Sequence, residues 1–265
     1  MPKLTHAEAG VLAREELARF IQLLETLEGD DWNQPTYCTQ WTVRDILAHQ
    51  AGAYSGFTSW SEFRRQYVSN PYQKTEKAPI DGINRRQIED RASKTTSELI
   101  EELRKVGPKA IENRQKLPAL LRALPVMPMG PPVGNAPIGY LTDDIYPRDT
   151  WSHRLDISHA TGREMVLTPE HDGRLTALII QDLARKLPSK LSGQAVVYEI
   201  AGPAGGTWQI GKGNPAATLS VKTLDFHLLA SGRITAEYAQ NQNLVTITGD
   251  AELAQIALEN TIVLY

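Results

Sequence analysis

Trp41-Thr42-Val43-Arg44-Asp45-Ile46-Leu47-Ala48-His49 and Arg148-Asp149-Thr150-Trp151-Ser152-His153-Arg154-Leu155-Asp156-Ile157 are the two stretches whose reading decides the fold. Each reads as a helix that sets a histidine among apolar residues. Thr42 and Asp45 fit a capping-box pattern that opens the first of them. In the second, Asp149 and His153 are four residues apart and share a helix face. At 100° per residue they lie about 40° apart, Asp156 falls within about 60° of both, and His159 falls off that face. One carboxylate and one imidazole on a helix, joined by His49 from a facing bundle helix, make a three-ligand metal site with a position left open for water or substrate. The spacing also allows a plainer arrangement. Asp149 would then serve the helix dipole in the first turns, His153 would pair with Asp149 or Asp156 as a buried ion pair, and His49 would be a histidine near a helix end.

Outward from these stretches, the first half of the chain reads as helices. Apolar residues at helical spacing predict a helix over 4–28, with Gly29 as its stop. The helix opening at Thr42 is predicted to run to about Val68, with Gly52 and Gly56 as soft points. Residues 70–82 are polar with two prolines and read as a loop. A third long helix is expected within 84–116, where Gly107-Pro108 kinks or splits it. Residues 117–139 hold many prolines and glycines among Leu, Val and Met, which predicts an ordered loop packed over something. The fourth helix begins at Asp143 or Asp144 and ends at Thr161-Gly162. Four such helices predict a bundle.

After Gly162 the pattern changes. A helix over 170–187 is followed by short strands at 195–200, 206–210 and 217–221, a helix over 224–231, a strand over 243–248 and a last helix capped by Asp250. Strands mixed with helices after an all-helical half predict an α+β two-domain chain. The expected division is a helical-bundle metal-binding domain over 1–165 and a smaller α+β domain over 166–265.

Composition bounds the function classes. The chain has 265 residues, 41% hydrophobic and 22% charged, with a net charge of −3. That charge points to neither a nucleic-acid partner nor an anionic membrane surface. The N-terminus lacks a signal-type apolar run and no stretch approaches the roughly 20 apolar residues of a membrane span, so a cytoplasmic protein without membrane insertion is expected. The single cysteine, Cys38, leaves no intramolecular disulfide and no multi-cysteine zinc site. A lone cysteine is more often a small buried hydrophobe than a nucleophile.

The stretch Trp41–Gly52 resembles the second-helix signature, and Asp149–Ile157 the fourth-helix signature, of the DinB-like, mycothiol-dependent maleylpyruvate isomerase family. Asn84-Arg85-Arg86-Gln87, ahead of Glu98-Leu99, is similar too. Gly205-Gly206-Thr207-Trp208, Ala230-Ser231-Gly232-Arg233 and Thr248–Ala254 resemble the α+β domain that follows in that family, which is related to sterol carrier proteins.

The resemblance implies that His49, Asp149 and His153 hold a divalent metal, zinc in the first place with nickel or iron as alternatives. Asp156 then orients a ligand. Asp149 falls where the family has a glutamate, so this chain is one methylene shorter there. Arg233 matches the basic residue that the family turns toward its active site, although an arginine after a helix is also an ordinary C-terminal cap. The implied activity is a metal- and thiol-dependent isomerase or S-transferase acting on a small molecule with mycothiol or a similar thiol, as a monomer or homodimer. Two other classes fit the same residues. One is a non-enzymatic small-molecule or lipid-binding protein. The other is a metal-dependent hydrolase, against which the lack of a Glu beside His49 counts.

Overall fold

The computed structural model describes residues 2–128 and 134–265. These divide into two compact units. One is Leu4–Glu164; the other is Met165–Tyr265, with which Pro2 and Lys3 group.

The first unit is helical. Its elements are α1 (His6–Leu24), α2 (Val43–Ser55), the one-turn α3 (Trp60–Phe63), α4 (Pro79–Glu89), α5 (Thr96–Gln115), the one-turn α6 (Ala119–Arg122) and α7 (Tyr146–Thr161), with a two-residue hairpin of β1 (Met127–Pro128) and β2 (Asn135–Ala136) between α6 and α7. The long helices α1, α2, α5 and α7 form the bundle: α1 packs on α5 and α7, and α2 packs on the same two. Their apolar faces share one core that includes Leu17, Phe20, Ile46, Leu47, Leu99, Leu103 and Ile157, all nearly or fully buried. Burial of each such side chain contributes about 1.5–3 kcal/mol.

Helix ends differ from the sequence reading where capping outweighs apolar spacing. The first helix stops at Leu24, and Gly29–Asn33 forms a separate 3₁₀ turn. The second stops at Ser55, because Ser59 restarts the chain by accepting from the Glu62 N–H, and a π-helical turn over Arg64–Val68 follows. The stretch read as one helix within 84–116 is two. Pro79 at the first turn opens α4 inside the supposed loop, and a Thr95–Glu98 capping box opens α5. Pro108 lies inside α5 without splitting it. Of the loop expected over 117–139, residues 129–133 lie outside those described; the remainder holds α6 and the hairpin. A π-helical turn over Tyr140–Ile145 leads into α7, which Gly162 ends in the left-handed conformation (φ 67°).

The second unit contains α8 (Arg174–Lys186), β3 (Ala195–Ala201), β4 (Gly206–Gly211), β5 (Pro215–Lys222), α9 (Thr223–Ala230), α10 (Ala236–Asn241), β6 (Val245–Gly249) and α11 (Ala251–Glu259). The sheet order is β4-β3-β5-β6, with β3 and β5 parallel and the outer pairs antiparallel. Among the helices and strands named for the second unit, the sequence reading lacks α10, a six-residue helix too short to show a period. With a mainly helical half followed by helices and a mixed sheet, the chain is α+β with two units, as its sequence predicts. No described helix is long and apolar enough to cross a membrane.

Candidate metal centre

The Thr42–Asp45 capping box fixes the start of α2, which places His49 in mid-helix and buries it to 4% exposure. Asp149 and His153 stand one turn apart on α7, and His153 is buried to the same degree. The packing of α2 on α7 brings the three together. Nε2 of His49 lies 3.4 Å from Oδ2 of Asp149, and Nε2 of His153 lies 3.4 Å from Oδ1 of the same carboxylate. The two imidazoles meet edge-on, with centroids 5.1 Å apart, and Trp41 stands 5.0 Å from one ring and 5.8 Å from the other.

The other ring nitrogens are committed. Nδ1 of His49 donates to Oε1 of Gln87 at 2.8 Å, and Nδ1 of His153 donates to Oδ2 of Asp156 at 2.9 Å. Gln87 and Asp156 are themselves buried. Both Nε2 atoms therefore turn toward Asp149, and that of His49 has no hydrogen-bond partner although it is buried. The 3.4 Å separations exceed ordinary N–H···O hydrogen bonds of roughly 2.7–3.2 Å. They equal the edge, about 3.4 Å, of a tetrahedral shell with metal–ligand bonds of roughly 2.1 Å. Two imidazoles and a carboxylate suit zinc and other first-row divalent ions. The orphaned Nε2, the separations and the donor set fit a divalent metal. Asp149, whose side chain is 22% exposed, is the open side of the cluster.

Electrostatics agree with that arrangement. Burial pushes the Asp149 carboxyl up, but His153 and His49 more than reverse this and hold it well below the usual carboxylate range. Burial pushes the His153 imidazolium down; Asp149, Asp156 and Cys38 reverse it and hold it well above the usual imidazole range.

Three residues of the site were not singled out from spacing. Gln50, fully buried, donates from Nε2 to Oδ2 of Asp149 at 2.6 Å and accepts from Thr150 through Oε1. Gln87 holds His49. Cys38 is half-buried, with Sγ 3.7 Å from Oδ2 of Asp156. The signal for Gln50 was its place beside His49, and for Gln87 its place in the Asn84–Gln87 stretch. Asp156, expected to orient a ligand, does contact His153. Arg233 lies in the second unit, where it follows Gly232 (φ 73°) and its backbone N–H closes the end of α9 on the Leu228 carbonyl.

The fold and the site together define a helical-bundle protein with a His-Asp-His constellation on two facing helices. A family model described as the mycothiol maleylpyruvate isomerase N-terminal domain matches residues 13–158, more than half of the chain, and the protein belongs to that family. Among solved structures, the mycothiol-dependent maleylpyruvate isomerase aligns over 94% of this chain and 95% of its own at 16% identity, with a TM-score of 0.58. A histidine-to-alanine mutant of that isomerase gives the same identity and coverage with a TM-score of 0.56. These likenesses establish a shared fold. The sterol carrier protein domain 2 of Helicoverpa armigera aligns to 37% of the chain with a TM-score of 0.28, too low to establish one. No curated protein sequence matches the chain.

Proposed function

We propose that the protein is a metal-dependent, thiol-using enzyme of the maleylpyruvate isomerase type, an isomerase or thiol S-transferase acting on a small molecule. The observation that carries this reading is the convergence of the His49 and His153 Nε2 atoms on the Asp149 carboxylate, with both Nδ1 atoms held by buried acceptors. His49, Asp149 and His153 are the ligands, zinc is the first candidate, and the metal-binding domain is 1–165. A divalent ion held by His49, Asp149 and His153 would supply the charge that lowers the pKa of a thiol bound beside it. Gln87 and Asp156 fix the two imidazoles, and Gln50 fixes the carboxylate on which they converge. The solved isomerases of this fold are mycothiol-dependent, which supports mycothiol or a similar low-molecular-weight thiol here. For Arg233 we propose the role that the family resemblance implies, neutralising a carboxylate or developing enolate on the substrate.

The test is elemental analysis of untagged protein together with zinc, nickel and iron titrations of the wild type, His49→Ala and His153→Ala. Stoichiometric metal in the wild type and its loss in both variants supports the reading. Absence of metal, with no change in thermal stability on adding any of the three ions, refutes it. With the metal established, loss of turnover in Arg233→Ala and partial recovery in Arg233→Lys test the arginine.

A further inference from the structure

His49 Nδ1 is the first link of a chain of buried hydrogen bonds that leads away from the metal ligands. Gln87 accepts from it through Oε1 and donates through Nε2 to Oε1 of Gln66 at 3.0 Å. Gln66 Nε2 donates in turn to the Gly52 carbonyl at 3.0 Å and to Oε1 of Glu62 at 2.8 Å. Gln66 is 0% and Gln87 1% exposed, so water cannot replace a misdirected partner. A third neighbour of Gln66 Nε2, Ser55 Oγ at 3.1 Å, spends its own proton on the Gly52 carbonyl and so also faces the amide as an acceptor.

The far end of the chain therefore has only one sense. A backbone carbonyl and a carboxylate can only accept, so Gln66 must turn its NH₂ toward them and its oxygen toward Gln87. Gln87 must then turn its NH₂ toward Gln66 and its oxygen toward His49. Turning either amide over would set oxygen against oxygen in a buried place. His49 is thereby required to carry its proton on Nδ1 and to leave Nε2 bare.

We propose that Gln87 and Gln66 are positioning residues that dictate the tautomer of His49, so that its Nε2 lone pair is presented toward Asp149 before any ligand arrives. The proposal deepens the metal reading and rests on it for its purpose, but the tautomer itself is a property of the metal-free chain. Glycine at position 52 is part of the device. A Cβ there would stand 2.5 Å from Cβ and 2.7 Å from Cγ of Gln87, so only glycine lets α4 come close enough for Gln87 to reach His49.

The experiment is long-range ¹H–¹⁵N NMR of the imidazoles in the metal-free full chain in mildly alkaline solution, which tells the Nδ1–H from the Nε2–H tautomer. His49 is assigned by the signals missing from His49→Ala. The expected result is the Nδ1–H tautomer in the wild type and a mixed or Nε2–H tautomer in Gln66→Met, a residue whose hydrogen bonds go to Gly52, Ser55, Glu62 and Gln87 and not to a proposed ligand. Zinc binding is expected to weaken by about 10–100-fold in Gln87→Met, the usual effect of removing such a partner, and by a smaller factor in Gln66→Met. An Nε2–H tautomer in the wild type overturns the proposal. So does an unaltered tautomer in a folded Gln66→Met. Should Gln66→Met not fold, the wild-type tautomer still decides. A correct tautomer in a protein that binds no metal leaves the proposal standing and refutes the metal reading alone.

Discussion

Gly52→Ala is the sharpest perturbation of the site, because it adds one methyl group whose nearest neighbours belong to Gln87 and Arg91 and not to a proposed metal ligand. The new Cβ would lie 2.5 Å from Gln87 Cβ, 2.7 Å from its Cγ and 3.0 Å from Nη1 of Arg91. Carbon atoms pack at about 3.5–4.0 Å, so α4 must retreat by ~1 Å or more. The 2.8 Å bond from His49 Nδ1 to Gln87 Oε1 then stretches to roughly 3.8 Å and ceases to be a hydrogen bond. Overpacking of this kind costs about 1–3 kcal/mol, while replacing a mid-helix glycine by alanine returns up to ~1 kcal/mol. The net destabilisation is roughly 0–3 kcal/mol. Zinc affinity should fall by about 10–100-fold.

Gly162→Ala is the matched control. Its φ of 67° disfavours alanine, but a Cβ there meets nothing within 4 Å. It should cost about 1 kcal/mol and leave zinc affinity unchanged. Thermal unfolding and competitive zinc titration on both variants read the difference. Wild-type zinc affinity in Gly52→Ala, or equal weakening in both variants, would refute the reasoning.

Two predictions concern the scaffold. Glu16 and Arg154 form a buried two-pronged pair, at 2.7 and 3.1 Å, and Glu16→Ala removes both of these hydrogen bonds from the buried guanidinium. It should cost about 3–5 kcal/mol and lower Tm by roughly 10 °C; a change under ~2 °C would show that the pair contributes little. Arg65 holds the Glu62 carboxyl down to about 2 from an ordinary 4.5, with help from Gln66 and against the opposing effect of burial. The stability this contributes is present above pH 4.5 and is lost as pH falls toward 2. Glu62→Gln should therefore be less stable than wild type at neutral pH, and the two Tm curves should converge in acid; parallel curves down to pH 2 would contradict the assignment.

The bundle was legible because its signals are local. Leu17, Phe20, Ile46 and Leu47 recur at helical spacing, and the Thr42–Asp45 box marks a start that the structure keeps. Helix ends were less legible because they depend on competition. Thr95 with Glu98 is as good a box as Thr42 with Asp45, yet the apolar run from Ile88 to Ile111 reads straight through it. The Asp149–His153 pair could be read from one helix alone. That His49 joins it depends on α2 packing on α7, which no local pattern encodes, and here the family resemblance supplied the expectation. The glutamines were invisible for a different reason. Gln66 and Gln87 carry no charge and bind no metal, and their importance lies only in the direction in which their amides point, which buried acceptors from other segments decide.

Asp149 is where this chain departs from the glutamate its resemblance implies, and the geometry argues that the shorter residue is matched to its surroundings. Its two oxygens stand at equal distances, 3.4 Å, from the two imidazole nitrogens. Oδ2 also takes a 2.6 Å hydrogen bond from Gln50, whose Oε1 is bound by Thr150. A methylene inserted at this point advances the carboxylate by about 1.5 Å, into the space between the rings or past them. Either displacement breaks the Gln50 bond and spoils the symmetry toward the imidazoles. Asp149→Glu should therefore bind zinc about tenfold more weakly than wild type, the low end of the cost of disturbing a supporting partner. Asp149→Asn, which keeps the length but gives up the charge, should bind more weakly still. If Asp149→Glu instead binds zinc as tightly as wild type, the pocket has room for the longer ligand, and the equal distances around Asp149 do not reflect a fit to the metal.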